Sequence, residues 1–214
     1  RSDTYTVPAN GRMDIEGGHT LPGPNSVGLH TIEPDDASFP YMAQLYRYSG
    51  GPTTYYFAFP LLARAGSGDL QYAPLSSSAT GENWLELANV LDAPVNVALQ
   101  YYNQAGGLLR SDTVVLQPHA QQHFFAGALL KANESGSVHI TPNSSGALVG
   151  QSMYYFRNAS GTVTAMYGTG IRESAGTNFY GSYNLFLEMK NSLRISNTLN
   201  GVNPITVTIF SDLG

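Results

Sequence analysis

The sequence predicts an all-β protein made of two tandem antiparallel β-sandwich units, and three observations predict it. Apolar residues recur at every second position over short runs, the signature of half-buried strands. Clusters of Gly, Pro, Asn and Asp punctuate those runs, as turns require. The chain also matches itself: the opening Arg1-Ser2-Asp3-Thr4 returns as Arg110-Ser111-Asp112-Thr113, 109 positions later.

Taken in chain order, the first strand pattern is residues 1–7, closed by Pro8 and an Asn10-Gly11 turn. Residues 41–48 alternate Met42, Gln44, Tyr46 and Tyr48 with Tyr41, Ala43, Leu45 and Arg47 before Gly50-Gly51-Pro52. Residues 83–89 alternate around Leu85 and Leu87 and end on Asn89, and residues 95–102 repeat the period with Val95, Val97 and Leu99. The turn from Asn103 to Gly107 then leads into 112–116, so that 95–116 reads as one hairpin. Strands are expected again at 137–141, 148–156, 193–197 and 205–210. The only helical pattern is 126–133, and Gly127 limits it to a turn or two.

The self-match persists beyond the tetrapeptide. Pro8 faces Pro118, His30 faces His139, Pro34 faces Pro142, Gln44 faces Gln151 and Tyr48 faces Tyr155, with offsets between 107 and 110. Residues 83–89 face 191–197, and 95–99 face 205–209. One unit is therefore expected over 1–109 and the other over 110–214, with strand exchange across the 95–116 hairpin blurring the division. Seven or eight short strands in such a unit fit an immunoglobulin-like sandwich, two sheets whose inward side chains interdigitate.

The run 85–89, 95–99, 103–107 and 113–118, and again 193–197 and 206–209, is a strand ending in Asn, an alternating strand, a glycine turn and a strand closing on Pro. That order resembles the Ig-like tandem repeats of large bacterial surface and secreted proteins. The resemblance implies a structural or adhesive role and carries no functional residue over.

Composition excludes several classes of function. Charged residues are 12% of the chain and the formal net charge is −5. Lys131 and Lys190 are the only lysines, so there is no basic stripe for phosphates, and nucleic acid is not expected as a partner. The absence of cysteine removes disulfides, thiolate metal sites and thiol nucleophiles together. A cysteine-free, Tyr- and Gly-rich chain is in keeping with an extracellular or cell-surface location. No apolar run reaches the length that spans a bilayer. The first residues have no signal-peptide pattern, so the chain is expected to start at an internal or mature position.

Catalytic motifs are missing: there is no Gly-x-Ser-x-Gly elbow, phosphate-binding loop or His-Glu-x-x-His. Accordingly no enzyme activity, catalytic residue, cofactor or metal is expected. His119 and His123 have no nearby carboxylate or cysteine in sequence to complete a metal site, and Asp35-Asp36 reads as a solvated loop. Trp84, the sole Trp, faces Ser192 in the repeat and is expected in or near the first core. Asn133, Asn143 and Asn158 head glycosylation sequons, all in the second unit.

The repeat places its seam inside a strand pair. Residues 205–210 correspond to the first strand of the 95–116 hairpin, and 1–7 to the second. The candidate interface is therefore Thr4, Tyr5, Thr6 and Val7 against Ile205, Val207, Ile209 and Phe210. Other copies of the chain, or neighbouring repeats of a longer one, are the expected partners through strand addition. The function expected is a non-enzymatic structural segment of an extracellular filament, stalk or surface layer. The alternative is a carbohydrate- or ligand-binding accessory module, with a glycan or surface ligand as its partner.

Overall fold

A computed structural model describes residues 3–15, 27–36, 38, 42–51, 54–68, 70–173, 182, 185, 188, 193–198 and 200–210. The regular structure is almost entirely β. A hairpin of β1 (Gln44–Gly51) and β2 (Thr54–Leu62) comes first. It is followed by β3 (Gln71–Ser76), β4 (Gly81–Asn89), β5 (Val95–Asn103), β6 (Leu108–Leu116) and β7 (Gln121–Phe124). After a 3-10 turn at Ala126–Leu129 come β8 (Ser135–Pro142), β9 (Leu148–Arg157), β10 (Val163–Gly170) and the short β11 (Arg172–Glu173). This 3-10 turn falls within the segment where the sequence predicts a turn or two.

Two antiparallel sheets form a sandwich, one ordered β10-β9-β4-β7 and the other β11-β3-β8-β5-β6. The alternation read from the sequence becomes burial directly: Val95, Val97 and Leu99 on β5 are fully buried while the residues between them are exposed. Leu85 and Leu87 of β4 meet Leu75 of β3, Val138 and Ile140 of β8 and Leu116 of β6 in a single core. Side chains of this size contribute about 1.5–3 kcal/mol each when removed from water.

Buried polar groups are confined to sites where they are satisfied. Asn89 ends β4 with its amide donating to the carbonyls of Ala93 (2.8 Å), Leu116 (3.2 Å) and Gln117 (3.1 Å), and its Oδ1 accepting from the Leu91 N–H (2.9 Å). Asn83 donates to Ser152 Oγ at 2.8 Å, and Ser152 donates to the Pro74 carbonyl at 2.7 Å, tying the two sheets together. Among the described residues no buried side-chain N or O lacks a partner, as a native interior requires.

The division at 109/110 runs through β6, and strands from both sides of it build both sheets. The sandwich body starts at Ser67, whose N–H donates to the Leu148 carbonyl (2.8 Å), and runs through Ile171, whose N–H donates to the Gly150 carbonyl (3.0 Å), into β11. Gly66 and Gly68 let this entry strand cross the 145–146 backbone, since a Cβ at Gly68 would lie 2.0 Å from Ser145 Cα. The β1–β2 hairpin lies outside the two main sheets and packs against β10.

Candidate functional site

The chemistry of this protein gathers on the outer face of the four-stranded sheet. With Leu85 and Leu87 turned into the core, the pleat turns Glu82, Trp84 and Glu86 of β4 outward. Register then decides their neighbours. Glu86 lies opposite His123 of β7 and Gln151 of β9, Trp84 opposite Met153, and Glu82 opposite Tyr155.

Glu86 is 1% exposed and accepts from four donors. Arg47, delivered by the β1–β2 hairpin, places Nη1 2.9 Å from Oε1 and Nη2 3.0 Å from Oε2, a bidentate pair. The Tyr155 hydroxyl donates to Oε1 at 2.9 Å while accepting from Arg47 Nη1 at 2.7 Å, and the Gln151 amide donates to Oε2. Burial pushes the Glu86 carboxyl up, but the hydrogen bonds and charge of Arg47, with Gln151 and His123, outweigh it and hold the group below its ordinary range. The same surroundings push the Tyr155 phenol up to about 12, burial first and the Glu86 charge second.

His123 stands 3.9 Å from Glu86 Oε1, with Gln121 at 2.8 Å from its Nε2. Burial lowers its pKa, offset in part by the Glu86 charge, so the ring is neutral at neutral pH. Arg47 and Glu86 therefore form a clasp fastening the hairpin to the sandwich.

Beside the clasp is a cleft of about 260 Å³ lined by Glu82, Trp84, His123, Tyr155, Arg157 and Val163. Trp84 is half-buried and stacks on Phe125, ring centroids 4.9 Å apart and planes 20° off parallel. The expectation that Trp84 packs in or near the core is corrected here: the pleat that buries Leu85 turns its neighbour to the opposite face. Glu82 takes the indole N–H at 3.2 Å and pairs with Arg157 at 3.1 Å. A second cavity of about 410 Å³, lined by Pro74, Tyr154, Tyr167, Thr169 and Arg194, has Tyr154 and Tyr167 stacked at 4.5 Å.

Of the interface residues read from sequence, Thr4, Tyr5, Thr6, Val7, Ile205, Val207, Ile209 and Phe210 are all exposed and lie in segments without regular secondary structure. His139 is wedged between the rings of Tyr72 (4.7 Å) and Tyr102 (4.5 Å), while His30 is exposed. His119, read from sequence as lacking a carboxylate nearby, receives one from Asp92 at 2.7 Å across the 92–119 gap. No group of three or more His, Cys, Asp or Glu among the described residues is arranged to hold a metal. Nor is any described helix long and apolar enough to cross a membrane.

Sequence reading missed Arg47 and Glu86 altogether. No local signal was present: Glu86 occupies the outward position of an alternating strand, where a carboxylate ordinarily faces water, and its cationic partner comes from a hairpin 39 positions away.

No protein-family model matches the chain, and no curated protein sequence matches it significantly. Among solved structures the chain is similar to one described as the crystal structure of Thermotoga maritima 1070, at 11% identity and a TM-score of 0.43, over 54% of this chain and 100% of that one.

Proposed function

We propose that this chain is a non-enzymatic structural segment of an extracellular or cell-surface assembly, and that it extends by strand addition between copies. The observation that carries the reading is a contrast in exposure. Val95, Val97 and Leu99 of β5 are each 0% exposed, whereas Ile205, Val207 and Ile209, which repeat the same alternation 110 positions later, are 58%, 53% and 77% exposed. An alternating β-branched run is the pattern of a strand with one face in a core, and these three residues have the pattern without the core. Tyr5 and Val7, the counterparts of β6 residues, are 48% and 56% exposed.

The tandem repeat belongs to the same proposal. The β1–β2 hairpin pairs Gln44 with Leu62, and β9 with β10 pairs Gln151 with Gly170, so two antiparallel hairpins recur about one unit apart. The flanking segments then represent parts of a second sandwich that a neighbouring copy or repeat completes. Burying Ile205, Val207 and Ile209 at roughly 1.5–3 kcal/mol each competes with an association cost of about 4–15 kcal/mol, so assembly is expected to be concentration dependent.

The test is light scattering with size-exclusion chromatography over a concentration series. Oligomers that grow with concentration, and that Val207→Lys or Ile209→Lys abolishes without changing the circular dichroism of the sandwich, are the expected result. A monomer at every concentration, or unchanged oligomers in both lysine variants, would overturn the proposal.

A further inference from the structure

The cleft beside the clasp has features that strand addition does not use. Its aromatic lining is Trp84 and Tyr155, and Trp84 is backed by Phe125, which stacks on it without itself lining the cleft. Its walls carry donors and acceptors: the Arg157 guanidinium, the Glu82 carboxylate and the His123 imidazole. The charges around it are already matched within the protein. Arg157 pairs with Glu82 at 3.1 Å, and Arg47 pairs with Glu86 at 2.9 Å. An anionic ligand would compete with Glu82 for Arg157, and a cationic ligand would compete with Arg157 for Glu82. A neutral ligand meets neither penalty.

We propose that the Trp84 cleft binds a neutral oligosaccharide, with the C–H face of a pyranose ring against the Trp84 indole and its hydroxyls on Arg157, Glu82 and His123. A mostly apolar floor with a few convergent polar groups is the usual build of a ligand site. The volume, about 260 Å³, lies just below the small end of the usual range for ligand sites, roughly 300 Å³, which suits a short stretch of a glycan chain. Arg157 supplies N–H groups in a fixed fork, and the Arg157–Glu82 pair offers a donor and an acceptor side by side, matching the vicinal hydroxyls of a sugar. The site lies entirely on β4, β7, β9, β10 and the residue after β7, so it does not depend on how the flanking segments associate.

Trp84 is the sole tryptophan, and its emission reports on this cleft alone. Titration of the full chain with cellohexaose, maltohexaose and chitohexaose, and with a heparin hexasaccharide as the anionic comparison, is followed by fluorescence and calorimetry. At least one neutral hexasaccharide is expected to give a saturable change in Trp84 emission with a Kd of about 1 mM or tighter. Arg157→Gln, which removes a lining donor, and Phe125→Ala, which removes the ring that backs Trp84, are each expected to weaken it about tenfold, with circular dichroism unchanged. The proposal is overturned if none of the three neutral sugars changes the emission or evolves heat, or if heparin binds more tightly than all of them. It is also overturned if both folded variants bind as the parent does.

Discussion

Replacing Arg47 by Met removes three charge-assisted contacts at once: Nη1 to Glu86 Oε1 at 2.9 Å, Nη2 to Oε2 at 3.0 Å, and Nη1 to the Tyr155 hydroxyl at 2.7 Å. Glu86, 1% exposed, is left with the hydrogen bonds from Tyr155 and Gln151 and with His123 at 3.9 Å. Breaking a buried pair by deleting one partner costs about 3–5 kcal/mol, because the remaining charge is stranded. Here the hairpin can lift away and let water reach Glu86, which caps the cost near the lower figure. The loss should therefore be local: amide exchange in β1 is expected to accelerate by about a hundredfold, since about 1.4 kcal/mol corresponds to a factor of ten. Restoring neutrality with Arg47→Met/Glu86→Gln should recover most of it, giving a coupling of about 2 kcal/mol in the double-mutant cycle. Hydrogen exchange resolved over residues 44–51, with urea denaturation of all four proteins, makes the measurement. If Arg47→Met left β1 protection unchanged, or if the two single effects simply added, the clasp would have no energetic reality.

Three further outcomes follow from the same geometry. Because the folded-state pKa of Glu86 lies below its ordinary 4.5, its contribution to stability is present above that pH and lost as the pH falls through the folded value; acid titration of β1 exchange should show the loss, and Glu86→Gln should flatten the profile. Leu85→Ala, at a fully buried core position, should cost about 2–5 kcal/mol, read as a lower urea midpoint with the denaturant slope retained. Asn89→Ala strands the Leu116 and Gln117 carbonyls and the Leu91 N–H, and should cost about 2–4 kcal/mol in the same assay, whereas Asn96→Ala, with its exposed side chain, should stay within about 0.5 kcal/mol.

The strands that were easiest to read are those whose two faces differ most in environment. On β5 the alternation of Val95, Val97 and Leu99 with polar or small residues is the burial pattern itself, because one face sees the core and the other sees water. Residues 205–210 have the same alternation yet lie outside any ladder, which shows that periodicity reports a disposition to pair and leaves open where the partner comes from. β4 was legible only by half. Its inward residues announce a strand, but Trp84 looks like core and Glu86 like an ordinary outward carboxylate until the register against β7 and β9 is known. Arg47 and Glu86 are 39 positions apart, and His119 and Asp92 are 27 apart; such meetings depend on topology, which local pattern does not encode. The distribution of strands between two sheets is likewise non-local, and a division at 109/110 suggested by self-similarity falls inside β6, near its start.

Where the sandwich body begins and ends has a consequence for the whole chain. Ser67 bonds to Leu148 and Ile171 to Gly150, so entry and exit share one short stretch of β9, and Arg64 reaches the Ile171 carbonyl at 3.5 Å. The polypeptide thus enters and leaves this body through a common doorway, much as an inserted cassette joins its host. Arg64 and Ile171, 107 positions apart, are brought together. Two stretches more than a hundred residues apart in sequence are thereby presented side by side, and a neighbour arriving there would meet both at once.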